Sequence, residues 1–366
     1  MNTIGLGQAG QAARRNGSFF PASLSRMPCM KTGMALLVLL FHDGEKCRLE
    51  YGDTVYVNVA PPFPAGFMLP QVEDVGIIKL VPNMNLPYKD KIEFFIFNYD
   101  KIDAAVMLSS ALLTQVKPRI GKNIRLKGLL ALDSVIADVN IEEIKQFVGV
   151  TPKTTYSSTE MQAPSVPSLE HPLGFIFDWR RNIIELHPIS KGKISPETLV
   201  GLDSVDVGEV YQPVYTSLEG ELTRYVIEDS IKCIAKGDSI IGSDYPVFKF
   251  HSRIGGEISL QNFTRITEDD LVASLRSGKV SFIDFVAKPM IDGCFEYLVI
   301  YLEHTCNKSS VDIAHAIHKY LYENDADYGS LVDFFGYLPI RVRAVPRGSS
   351  PDIWMIYKPD RSRKFP

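Results

Sequence analysis

Six of the seven residues in Thr154-Thr155-Tyr156-Ser157-Ser158-Thr159-Glu160 carry a hydroxyl, and the seventh is a carboxylate. Hydroxyls can hydrogen-bond phosphate oxygens, an aromatic ring can stack on adenine, and a carboxylate offers hard oxygen to Mg²⁺. The run reads as a nucleotide loop; the plainer reading is a solvated Ser/Thr loop. A second stretch, 208–231, holds two short apolar runs, 210–215 and 222–227, about a turn at 217–221 that contains Gly220. Strand, glycine-containing turn and strand predict a hairpin. It ends in Glu228-Asp229, and a hairpin ending in a carboxylate is by itself an ordinary surface feature. His315 and His318 fall three apart on one face of a predicted helix, 309–324. Without a third ligand such a pair is a surface or packing feature and not a metal site. No Ser-His-Asp constellation is readable.

The wording of these two stretches is more specific than their chemistry. Gly208-Glu209-Val210-Tyr211, a strand, a turn, then Arg224-Tyr225 followed after three residues by Asp229 resembles the adenylate-forming acyl-acid amido synthetases, the family of the auxin-conjugating enzymes. Tyr156-x-x-Thr159-Glu160, 69 positions before Asp229, resembles the adenine and magnesium loop of adenylate-forming enzymes. The resemblance covers roughly residues 50–366 and is strongest at 154–160 and 205–270. It implies ATP and Mg²⁺ as cofactors, and a small carboxylic acid and an amine or amino acid as substrates. It further implies that Tyr156 stacks adenine, Ser158 and Thr159 face phosphate, Glu160 holds Mg²⁺ and Asp229 takes the ribose. Arg253 would contact ribose or phosphate, and Lys358, in Lys358-x-x-Arg361, would be the catalytic cation brought in by the C-terminal part.

There are departures. Glu228 stands where the family has Gly before Asp. The family's Ser/Thr/Gly-rich phosphate loop has no match; 16–26 has too few glycines and two phenylalanines. The expectation is an N-terminally truncated or degenerate member. Three readings follow: an amide-forming ligase, a non-catalytic homologue that binds or scaffolds, and a ligase using coenzyme A. The acid and the acceptor stay open.

The chain that must position these residues has 366 of them, 45% apolar, 22% charged and 10% aromatic, with a net charge of −4. That is the composition of a globular protein with room for two domains, and it offers no global attraction to nucleic acid or an anionic membrane. The apolar run 34–41 is far below the ~18–20 residues of a membrane span. Five scattered cysteines without C-x-x-C argue against a disulfide framework or zinc site and fit a reducing compartment, the cytoplasm. Before Asp43, the first acidic residue, lie Arg14, Arg15, Arg26 and Lys31. Such a start suits either a transit peptide or an irregular N-terminus, and the second is expected. Gly5-x-Gly7-x-x-Gly10 lacks both a preceding strand and a following acid, so it is not a dinucleotide turn.

Along the chain, 1–30 is irregular. Strands are expected at 35–41 and 53–60, a helix over 100–116, a buried strand at 124–132, a helix at 141–147 and a strand at 148–156. Paired strands at 173–179 and 182–188 follow, then the hairpin and a strand at 246–253. Beyond Gly255-Gly256 the pattern is strand 257–260, helix 267–276, strands 280–287 and 295–303, helix 309–324 and strand 338–345, the split β-α-β order. The expectation is therefore an α/β protein: a large mixed α/β domain of the adenylate-forming type over 31–254, and a small split β-α-β domain over 255–366.

Overall fold

The computed structural model describes residues 26–58, 76–83, 85–158, 165–179, 182–218, 222–254, 258–261 and 264–345. Strands β1 (Asp53–Val57), β2 (Ile78–Val81), β3 (Ala104–Met107) and β4 (Gly128–Ala131) form a parallel sheet in the order β2-β1-β3-β4. Alternation along each strand sends successive side chains to opposite faces. Val55, Val57, Ala104, Val106 and Leu130 pack with Leu37, Leu40 and Phe41 at the end of helix α1 (Arg26–Leu40). Tyr56, Ala105, Met107 and Leu129 pack on the other face. There they meet Ile92 and Phe95 of helix α2 (Tyr88–Asn98) and Leu112, Leu113 and Val116 of a helical run, 109–120. The close approach of α1 explains Gly128: a Cβ there would lie 2.2 Å from the Leu40 carbonyl oxygen.

Two readings of this region are corrected. Residues 35–41, expected as a strand, are the last turns of α1 and the residue that follows it. The middle of the expected helix 100–116 is β3, whose four residues are all buried. A parallel strand covered on both faces shows no period-2 alternation, so a short apolar run cannot be told from a helix segment by pattern. Helices α3 (Ser134–Val139) and α4 (Ile141–Val148) follow β4, the second as expected. Of the expected strand at 148–156 only a bridge from Lys153 to Leu130 forms.

The middle of the chain makes an antiparallel sheet of β5 (Val166–Pro167), β6 (Phe175–Ile176), β7 (Asn182–Pro188), β8 (Val200–Gly201), β9 (Val210–Ser217), β10 (Tyr225–Val226), β11 (Asp229–Ala235) and β12 (Val247–Arg253). The order is β5-β6-β12-β11-β9-β7-β8, with β10 on β9. The hairpin is β9–β10, with Tyr225 opposite Tyr215. The expected pairing of 173–179 with 182–188 does not occur: β6 pairs β12 and β7 pairs β9. One face buries Phe175, Phe177, Leu186, Tyr211, Tyr215, Ile231 and Phe248.

Past Arg253 come a short hairpin, β13 (Ile258–Leu260) with β14 (Thr264–Ile266), and helix α5 (Glu268–Ser277). A three-stranded sheet, β15 (Phe282–Asp292), β16 (Phe295–His304) and β17 (Ile340–Ala344), follows. β15–β16 is antiparallel, and β17 returns parallel to β16 through helices α6 (Ser310–Asn324) and α7 (Ala326–Phe335). The expected strand and helix order is present, with β14 and α7 added. This part touches the rest through the Tyr88 and Phe334 rings, 4.6 Å apart, and a Gln115 to Phe334 carbonyl bond of 2.7 Å. The molecule is thus an α/β protein with a large mixed part and a smaller C-terminal part.

The start of α5 shows how local sequence sets an element. Thr267 Oγ1 accepts from the Asp270 amide, and Asp270 Oδ2 accepts from the Thr267 amide. These are two of the donors a helix start leaves unpaired, and the acidic first turn suits the helix dipole. Thr267→Ala is expected to lower unfolding free energy by about 1 kcal/mol, measured by urea denaturation; no change would mean the box contributes nothing.

Candidate functional site

Residues 154–156 leave the parallel sheet and enter the antiparallel one. The Lys153 amide donates to Leu129 O, the Ala131 amide donates to Lys153 O, and Thr154 Oγ1 donates to Ala131 O at 3.1 Å. Tyr156 is fixed next: its amide donates to Ser165 Oγ at 2.6 Å, and the Ser165 amide donates back to Tyr156 O at 2.7 Å. The Tyr156 ring lies stacked on Phe175, centroids 5.2 Å apart and planes 16° apart, with Phe177 edge-on at 5.9 Å. Aromatic pairs of both geometries are attractive beyond the area they bury. Phe175 is itself in register with Phe248 of β12.

The far end of that ring carries the chemistry. Tyr156 Oη donates to Asp229 Oδ2 at 2.9 Å. Asp229 opens β11 directly opposite Arg253, which closes β12, and Arg253 Nε lies 3.5 Å from Asp229 Oδ1. Antiparallel pairing places a carboxylate and a guanidinium at one strand end from residues 24 apart in sequence. Asp229 is only 7% exposed, and its Oδ1 accepts no hydrogen bond. A buried acceptor without a donor is uncommon and calls for an explanation. The register is held by the Ile254 amide donating to Glu228 O and by Ser230 Oγ, 2.8 Å from both Ser252 O and Ser252 Oγ.

Of the residues singled out from sequence, Tyr156, Asp229 and Arg253 thus meet. Ser158 is half-buried two residues further on. Thr159, Glu160 and Lys358 lie outside the described residues, as does the segment 16–25. Among the described residues no group of three or more His, Cys, Asp and Glu converges to hold a metal. His318 Nδ1 is 2.8 Å from Tyr328 Oη, a packing role. An open apolar cleft of about 390 Å³, lined by Trp179, Ile183, Leu202, Leu218 and Tyr245, contains none of the three converging residues. Its one charged lining residue is the carboxylate Asp203, which suits no phosphate, so the Asp229 cluster is the better candidate.

Sequence reading missed two further buried carboxylates. Asp133 accepts from the amides of Ser109 and Ser110, at 2.6 and 2.9 Å, and from Ser110 Oγ at 2.8 Å. Burial pushes its carboxyl up, against the pull of those donors. Asp238 serves five donors: Ser168 Oγ and the amides of Leu169 and Glu170 on Oδ2, and the amides of Ile240 and Ile241 on Oδ1. Both are satisfied by the protein's own donors, unlike Asp229 Oδ1. The Phe175-x-Phe177 alternation was the available signal for the platform behind Tyr156.

No family model matches the sequence, and no curated protein matches it. Solved structures do match in shape. A 2-hydroxyisobutyryl-CoA ligase in complex with 2-HIB-AMP and CoA, in the thioesterification state, superposes with a TM-score of 0.58 at 16% identity. The match covers 93% of this chain and 69% of that one. The chain has the fold of the adenylate-forming enzymes. The structure of IdnL1 superposes with a TM-score of 0.50 at 12% identity over 83% of this chain and 63% of that one. The GH3.15 acyl acid amido synthetase gives 0.48 at 12% identity, covering 88% and 72%. That superposition is too loose to separate one branch of the fold from another.

Proposed function

We propose that the chain binds an adenine nucleotide with its ribose on Asp229 and activates a carboxylic acid as an acyl adenylate for transfer to an amine or amino acid. The observation that carries the reading is Asp229 Oδ1, a buried carboxylate oxygen beside Arg253 that accepts no hydrogen bond. A ribose hydroxyl is the kind of donor it lacks, and its approach displaces the Arg253 contact toward the ribose or phosphate. Joining two anions requires their charge to be offset. In this reading Ser158 and Thr159 face phosphate, Glu160 holds Mg²⁺ and Lys358 supplies the catalytic cation. On the same reading the large domain spans 31–254 and the small one 255–366, a division supported by the end of β12 at Arg253 and the separate sheets beyond it. Among the described residues no helix is long and apolar enough to cross a membrane, and the cysteine pattern fits cytoplasmic work.

The acceptor has a second reading. The 2-hydroxyisobutyryl-CoA ligase match supports a thiol acceptor, while the wording at 208–229 supports an amine. Calorimetry with ATP, AMP and a non-hydrolysable acyl adenylate, together with acid-dependent exchange of pyrophosphate into ATP, tests the proposal. Binding with exchange is the expected outcome. Binding of AMP without exchange supports the non-catalytic homologue, and binding of none of the three overturns the nucleotide reading.

A further inference from the structure

We infer that Tyr156 serves the nucleotide site through its hydroxyl, as a positioning residue for the Asp229 carboxylate, and not through its ring face as an adenine platform. The inference rests on the reading of Asp229 as the ribose acceptor. A base stacks only on an open face, and Tyr156 is 7% exposed, with Phe175 parallel to it at 5.2 Å and Phe177 edge-on. Freeing the stacked face would require moving Phe175, which is held in register with Phe248 in the core of the antiparallel sheet. The hydroxyl, by contrast, reaches the carboxylate.

A carboxylate on a short side chain can still turn about its last bond, exchanging its two oxygens. The single Oη–H of Tyr156 donates to Oδ2 at 2.9 Å and stops that rotation, leaving Oδ1 as the oxygen without a hydrogen bond. Arg253 Nε lies 3.5 Å from Oδ1 on the other side. Tyr156 is in turn held by Ser165 and by the ring stack. The carboxylate is thus oriented before any ligand arrives, which spares the ligand the cost of ordering it.

Tyr156→Phe separates the two roles, because it keeps the ring and its stacking and removes only the hydroxyl. AMP and 2′,3′-dideoxy-AMP are titrated by calorimetry into the wild-type chain and the variant, with thermal melting to confirm the fold. The expected result is that the variant loses about tenfold in AMP affinity and little for the dideoxynucleotide, so that the preference for an intact ribose shrinks. A variant that prefers AMP as strongly as wild type does overturns the inference and leaves the ribose role of Asp229 standing. An equal loss for both nucleotides also overturns it, since that is the mark of a merely structural tyrosine. A wild-type chain that binds both nucleotides equally overturns the ribose role itself, and this inference with it.

Discussion

Asp229→Asn is expected to weaken AMP binding by about 10–100-fold, the equivalent of about 1.5–3 kcal/mol for a hydrogen bond to a charged group. The substitution keeps the shape of the side chain and removes one acceptor. If the amide oxygen takes the Oδ2 place and accepts from Tyr156, the amide nitrogen sits at Oδ1, facing Arg253 Nε at 3.5 Å with donor against donor. If the amide is turned round, the Tyr156 hydroxyl loses its acceptor. Either way the ribose meets an incomplete site and the negative charge that balances Arg253 is gone. Calorimetry with AMP reads the effect, and affinity within twofold of wild type would remove Asp229 from the site.

The largest effect on stability is expected from Asp133→Ala. Asp133 is buried, and its carboxylate serves two amides and a hydroxyl where the chain turns from β3 into the helical run 109–120. Ser109 and Ser110 are themselves fully buried. Alanine would leave these donors without an acceptor and without water. Each stranded group costs about 1–3 kcal/mol, so the variant is expected to lose about 3–5 kcal/mol of unfolding free energy. Urea denaturation measures it, and a loss below about 1 kcal/mol would mean that the helix start relaxes onto other acceptors.

What could be read from the sequence was what is coded locally. The helix beginning at Thr267-Glu268-Asp269-Asp270 is legible because a cap and an acidic turn are contiguous, and Ser309 with Asp312 repeats the arrangement. The strand ending at Arg253 is legible from its apolar run. Ala104–Met107 is not, because both its faces are covered and the pattern that marks a strand vanishes. The partner of β6 is not legible either: chain neighbours make the obvious hairpin, yet β6 crosses to β12. The site divides in the same way. Asp229 and Tyr156 came from a resemblance in wording. Their contact, 73 positions apart, depends on an aromatic platform and a strand register that no local pattern contains. The burial of the Tyr156 ring, on which its proposed positioning role rests, is likewise a product of packing.

The five donors gathered on Asp238 have a consequence for how this protein will respond to exhaustive substitution. Asparagine in that place surrenders an acceptor and brings two donors of its own into a ring of donors, and glutamate carries the carboxylate one methylene too far. That side chain joins the loops before β6 and before β12, together with Glu170, which accepts from Ser239, and His171 beside Gly237 O. Position 238 is therefore expected to tolerate almost no replacement, as little as position 229 under its proposed ribose role. A selection that scores only survival of function would rank the two alike. Scoring cellular abundance separately would part them: variants at 238 are expected to disappear from the soluble pool, whereas those at 229, on its proposed ribose role, are expected to accumulate as folded, silent protein.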